Sequence, residues 1–241
     1  MKKGKSNWLK LYAIGITVLC IFALAAFWLV FQKAGYDRKL LAKLGLAEPA
    51  AVTTHAAFGW NNTLYKMDYD ADVVFFGDSI TQDSDFRTYF PEQAIVNLGL
   101  YGDTLTGMID RVPGVASVKP EKVFLLGGIN GLTDRNVDIC AETYEALLEE
   151  LEAYLPDSQI FIQSVLPISS AREGYGLHNS SIVEFNSRLA AMAQERGMTY
   201  VDLYALYEKD GQMNPEFSAD GLHLLPESYG LWAEQISAYM E

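Results

Sequence analysis

Five short apolar runs recur along the C-terminal two thirds of the chain: residues 72–76 (DVVFF), 94–98 (AIVNL), 122–126 (KVFLL), 159–165 (QIFIQSV) and 199–203 (TYVDL). Four of them are nearly continuous in apolar residues, the pattern of strands covered on both faces. Between the runs the spacing turns helical. Tyr144, Leu147, Leu148, Leu151 and Tyr154 share one face of a helix predicted over 137–154, which Pro156 stops. Ile182, Phe185, Leu189 and Met192 predict a second helix over 181–196, with Gly197 at its C-terminal end. Residues 227–240 predict a closing helix. Strand alternating with helix implies a parallel sheet in a three-layer α/β/α sandwich. In such sheets ligands bind beyond the carboxyl ends of the strands.

The N-terminus follows a different pattern. Residues 11–31 form an uncharged stretch, LYAIGITVLCIFALAAFWLVF. As a helix it is long enough, at about 30 Å, to cross the hydrocarbon core of a bilayer. Trp8, Tyr12 and Trp28 lie near its ends, and four lysines precede it. The positive-inside rule then places the N-terminus in the cytoplasm and the remainder outside. A cleaved signal peptide, giving a secreted protein, is the competing reading. Its apolar region is shorter, and here Ala23-Leu24-Ala25 lies within the run, not after it. Leu19 before Cys20 disfavours a lipidated cysteine. The expected organisation is a basic cytoplasmic segment (1–10), a transmembrane signal-anchor helix (11–31), a linker and lead-in (32–69) and one catalytic-size domain (70–241).

Charge divides along the same boundary. The 241-residue chain carries a formal net charge of −13. Residues 1–48 hold eight basic and two acidic residues, leaving 10 basic and 29 acidic ones, a net of −19, for 49–241. So acidic a domain repels phosphate backbones, which argues against nucleic acid as a partner. With half of its residues hydrophobic and two cysteines, Cys20 and Cys140, the chain is neither disordered nor a disulfide-stapled miniprotein. Cys140 reads as a small buried hydrophobe.

Chemistry-bearing residues gather where the strands end. Gly77-Asp78-Ser79-Ile80-Thr81 follows the first run and places a serine hydroxyl at a sharp strand-to-helix turn, a position suited to nucleophilic attack. Thr81 departs from the G-x-S-x-G elbow of common α/β-hydrolases. Asn97-Leu98-Gly99-Leu100-Tyr101-Gly102-Asp103-Thr104 follows the second run, and Gly127-Gly128-Ile129-Asn130-Gly131 the third. Near the C-terminus, Asp220-Gly221-Leu222-His223 places a carboxylate three residues before an imidazole, so that the carboxylate can hold one ring nitrogen while the other faces a serine.

These four blocks, in this order, resemble the SGNH superfamily, also called GDSL esterases/lipases, over roughly residues 70–240. The resemblance implies a five-stranded, flavodoxin-like parallel sheet, in agreement with the strand count. It implies Ser79 as nucleophile, His223 as general base and Asp220 as the residue orienting that base. The oxyanion hole would comprise the backbone N–H groups of Ser79 and Gly102 and the side-chain amide of Asn130. It implies ester hydrolysis through an acyl-Ser79 intermediate, without metal or organic cofactor. Ile80 stands where the short name has leucine. Gly131 stands where many members carry aspartate, which bears on the order of that loop. Gln163-Ser164-Val165-Leu166-Pro167 resembles the fourth strand and its turn, where the family often builds substrate contacts.

Short acyl esters, such as O-acetyl groups on glycans, are the expected substrates. Lipid acylhydrolysis of a lysophospholipase kind, acyl transfer to a glycan and a non-catalytic glycan-binding module are the alternatives. His55 and His178 lack companions for a metal site. Residues 68–72 imitate the start of a calcium loop but lack its later ligands. Asn61 and Asn179 head formal glycosylation sequons. The 169–178 loop, with Arg172 and Tyr175, either borders the substrate or merely connects.

Overall fold

The computed structural model describes residues 71–174 and 176–241. The predicted membrane segment 11–31, the lead-in, His55, Asn61 and Tyr175 lie outside the described residues. Among the described residues, no helix is long and apolar enough to cross a membrane.

Five parallel strands form the sheet in the order β2-β1-β3-β4-β5. They are β1 (Val73–Gly77), β2 (Ile95–Gly99), β3 (Lys122–Leu126), β4 (Gln159–Gln163) and β5 (Thr199–Val201). The continuous apolar runs have their expected cause, because both faces are covered. Val74, Phe76, Val123, Leu125, Ile160 and Ile162 pack beneath α2 (Leu105–Ser117), α3 (Val137–Tyr154) and α4 (Asn179–Arg196). On the other face lie α1 (Ser79–Gln82), α5 (Tyr204–Tyr207) and α6 (Tyr229–Ile236). There Phe86, Phe75, Phe124 and Phe161 stack in a row across the strands, with centroid spacings of 3.9, 5.0 and 4.5 Å. The indole of Trp232 lies edge-on to Phe86 and donates to Gln163 Oε1 at 2.6 Å. Such aromatic pairs add about 0.5–1.5 kcal/mol each beyond area burial.

Several boundaries differ from the sequence reading. Helix α2, absent from it, carries Gly107, Pro113 and Gly114 inside a 13-residue helix. These residues weaken helix propensity, and buried contacts of Met108, Val112 and Val115 override that weakness. Strand β4 ends at Gln163 because Asn186 claims both the N–H and the carbonyl of Val165, each at 2.8 Å. The closing helix is three pieces: a 3₁₀ turn Pro226–Ser228, α6, and a 3₁₀ turn Ser237–Tyr239. A two-stranded hairpin, β6 (Glu208–Lys209) with β7 (Gln212–Met213), was not foreseen. A depression of about 780 Å³ borders the N-terminal edge of β3–β5, and none of the candidate site residues lines it.

Candidate active site

All the predicted blocks emerge at the carboxyl edge of the sheet. Gly77 ends β1 because a Cβ there would meet Thr81 Oγ1 at 2.2 Å and the Leu126 carbonyl at 2.4 Å. Asp78 then caps α1, its Oδ1 accepting from Ile80 N at 3.0 Å. Ser79 is the first residue of the helix. Asn97 ties this short helix to β2, donating to Thr81 O at 2.8 Å and Ser84 O at 2.9 Å.

The structure brings Ser79, His223 and Asp220 together. Ser79 Oγ lies 3.0 Å from His223 Nε2, across 144 residues of sequence. His223 Nδ1 lies 2.9 Å from Asp220 Oδ2. The loop bearing them folds on itself. Asp220 Oδ1 accepts from the N–H groups of Leu222 (2.9 Å) and His223 (2.8 Å), and Ser218 Oγ donates to His223 O at 2.6 Å. Burial pushes the Asp220 carboxyl up, but the hydrogen bonds from the His223 ring and from the His223 and Leu222 N–H groups outweigh it. The net result is a value well below the usual carboxylate range. Such a carboxylate stays ionised and orients the imidazole ring that faces the serine.

Neither the Ser79 nor the Gly102 N–H has an acceptor among the described residues. Gly102 sits at φ +69°, in the left-handed region where glycine is at ease. Asn130 Nδ2 donates one hydrogen to Asp103 O at 2.9 Å, leaving its second free to donate. Asn136 ties the loop around Gly131 together. Asn136 Nδ2 donates to Gly131 O at 2.8 Å, and Asn136 Oδ1 accepts from Thr133 N at 2.6 Å.

Two arginines complete the site, of which sequence reasoning missed Arg111. Arg111, on α2, is buried and donates to Leu98 O (2.7 Å), Gly77 O (3.1 Å) and Asp103 Oδ2 (2.6 Å). One guanidinium thus binds the ends of β1 and β2 to the loop carrying Gly102, while the Asp103 carbonyl holds Asn130. Burial raises Asp103 and lowers Arg111, each opposed by its partner's charge. The second arginine, Arg172, belongs to the 169–178 loop, which the sequence leaves as either a substrate border or a connection. It donates through Nε to Asp220 O and through Nη2 to Asp220 Oδ2, both at 2.7 Å. Asp78 has no cation in hydrogen-bonding contact. Burial pushes its carboxyl up to about 7, and its Oδ2 has no hydrogen-bond partner.

Other expectations resolve structurally. Residues 163–167 are all buried, and Ser164 Oγ accepts from Leu203 N and Tyr204 N at 2.8 and 2.7 Å. That segment follows β4 and is held from both faces, Val165 by Asn186 of α4 and Gln163 by Trp232 of α6. Asn179 is buried, its Nδ2 donating to Ile168 O at 2.8 Å, so its sequon is spent on folding. His178 faces Glu173. Cys140 is buried in the first turn of α3. Among the described residues no cluster of His, Cys, Asp or Glu could hold a metal ion.

Fold and site together define a three-layer α/β domain with a hydroxyl, an imidazole and a carboxylate aligned at the carboxyl edge of its sheet. Residues 75–231 match the GDSL-like Lipase/Acylhydrolase family, a family of ester hydrolases, and the chain belongs to it. The isoamyl acetate-hydrolyzing esterase 1 homolog of Bos taurus is 26% identical over 187 residues, covering 64% of this chain and 75% of that protein. An N-acylneuraminate cytidylyltransferase of Streptococcus agalactiae serotype V is 22% identical over 188 residues, covering 75% of this chain. The chain spans only 43% of that relative's length. Among solved structures, one described as a platelet activating factor from Streptococcus pneumonia superposes with a TM-score of 0.68 at 21% identity, covering 86% of this chain and 99% of that one.

Proposed function

We propose that the protein is a serine esterase that hydrolyses short acyl esters, foremost O-acetyl groups on carbohydrates, and that residues 11–31 anchor it with the domain outside the cytoplasm. The observation that carries the catalytic part is the 3.0 Å contact of Ser79 Oγ with His223 Nε2, continued at 2.9 Å to Asp220. His223 takes the serine proton as Oγ attacks the ester carbon. The oxygen of the tetrahedral intermediate receives hydrogen bonds from the N–H groups of Ser79 and Gly102 and from Asn130, donors worth about 3–4 kcal/mol each in such sites. The imidazolium returns the proton to the departing alkoxide, leaving acyl-Ser79. Water, deprotonated by the same imidazole, then releases the acid and restores the serine.

The substrate part rests on less direct support. The small domain leaves little room in its loops for a long acyl tunnel. An esterase relative is named for an acetate ester and another relative for an acylated sugar acid. The test is a panel of esters from acetyl to long-chain acyl, with acetylated glycosides included, assayed on wild type and Ser79→Ala. Ser79→Ala is expected to lower kcat by about 10⁴-fold or more, and wild-type activity to fall steeply beyond short acyl chains. An unchanged Ser79→Ala rate would remove the catalytic assignment. A long-chain preference would move the substrate to lipids, and acylated glycan among the products would make the protein a transferase.

A further inference from the structure

The alcohol half of an ester must leave beside the imidazole that protonates it, so the surface flanking His223 decides which alcohols are accepted. Tyr101 occupies that flank. Its ring centroid lies 6.2 Å from that of His223, tilted by 50°. The residue is 55% exposed, which for a ring this large leaves a face open to solvent.

The ring is also fixed in place. The Tyr101 N–H donates to Gln82 Oε1 at 2.6 Å, and its phenol donates to Asp83 Oδ1. Gln82 ends α1 and Asp83 caps it, so backbone and ring tip are both fastened to the helix that begins with Ser79. The next residue, Gly102, is a proposed oxyanion donor. A ring immobilised before substrate arrives loses little conformational entropy on binding. By accepting a hydrogen bond from the phenol, Asp83 raises the Tyr101 pKa and keeps the hydroxyl a donor. A hydroxyl so engaged enriches the ring face in electron density, and that face attracts polarised C–H groups.

Taken with the carbohydrate reading above, on which it rests, this placement has one best occupant. We propose that Tyr101 is the alcohol-side platform on which a pyranose ring of the substrate lays its C–H face, making it the residue that favours glycan-borne acetyl groups over alkyl acetates. A flat, open, rigid ring matches a flat, rigid sugar. A flexible alkyl alcohol covers less of it and must be ordered on binding.

Steady-state kinetics of the full chain with an O-acetylated methyl xylopyranoside and with ethyl acetate test this. Tyr101→Ala is expected to lower kcat/KM on the glycoside by about three- to tenfold, through KM, while ethyl acetate changes by less than about twofold. Tyr101→Phe, which keeps the ring but loses the Asp83 tether, should fall between wild type and Tyr101→Ala on the glycoside. Equal losses on both esters would mean that Tyr101 only shapes its loop, and would overturn the platform. So would a wild-type preference for the glycoside that Tyr101→Ala leaves intact, with the carbohydrate reading standing. A wild type that cleaves ethyl acetate but not the glycoside would remove the carbohydrate reading, and the platform with it.

Discussion

Two arginine–aspartate pairs flank Ser79, and they do opposite things with the same chemistry. Arg111–Asp103 sits on the Gly102 side with both side chains 2% exposed. Arg172–Asp220 sits on the His223 side with the side chains 45% and 39% exposed. The buried pair has lost its water, so each charge depends on its partner and on the Leu98 and Gly77 carbonyls. It works as a rivet whose worth appears when one half is removed. The exposed pair keeps its solvent and contributes little to stability. What it can do is bias the carboxylate that faces the imidazole. Burial, not residue type, therefore decides which pair anchors the fold and which leaves its charges to the solvent.

The largest effect should come from breaking the rivet. Arg111→Met leaves Asp103 buried without a cation and should cost about 3–5 kcal/mol of folding stability, measured by urea unfolding. Adding Asp103→Asn should recover much of that loss, because the stranded charge is gone. If Arg111→Met cost no more than Arg172→Gln, the contrast between the two pairs would collapse.

Asp78 sharpens the comparison, being a buried carboxyl that no arginine contacts. Its folded value, about 7, lies above its ordinary 3.8, so the folded state binds the proton more tightly than the unfolded chain. Its contribution to stability is thus full at acid pH, falls as the pH rises from 3.8 toward 7, and is level above that. Asp220 runs the other way: its depressed value gives stability above the carboxylate range that is lost only in strong acid. Asp78→Asn, which keeps the oxygen that caps Ile80, should gain on wild type by on the order of 2–4 kcal/mol between pH 4 and pH 7. A wild-type-minus-variant difference constant across that window would refute the buried, protonated carboxyl.

The smallest effect belongs to the exposed pair. Arg172→Gln should change stability by less than about 1 kcal/mol. Without the guanidinium, Asp220 loses the contacts from Arg172 and keeps those from the His223 ring and the Leu222 and His223 N–H groups. kcat should therefore fall by less than about fivefold, and high salt should move the wild type toward the variant. A loss as large as that of Ser79→Ala would show that Arg172 holds the Asp220–His223 geometry.

The sequence displays the parts of this site that are local and hides those that are assembled. Strands covered on both faces announce themselves as apolar runs, and Asp220 and His223 are three residues apart, so spacing alone brought them into one turn. Helix α2 stayed hidden because of its glycines and proline. Yet Gly107 is required there: a Cβ would come within 2.1 Å of Asp103 Oδ1. The residue that erases the helical signal is the one that makes room for the rivet. Arg172 meets Asp220 across 48 residues. No periodicity encodes such a contact, so the sequence leaves the 169–178 loop as either a substrate border or a connection.

Gly221 carries a lesson for anyone exchanging segments between members of this family. It sits at φ +77°, and a Cβ there would come within 2.0 Å of Ser169 Oγ. Ser169 N in turn donates to the Gly221 carbonyl at 2.9 Å. The stretch bearing the imidazole and the stretch from Ser169 to Arg172 are therefore a single transplantable cassette. Grafting the Ser169 stretch opposite any residue but glycine at this position drives a Cβ into the serine hydroxyl.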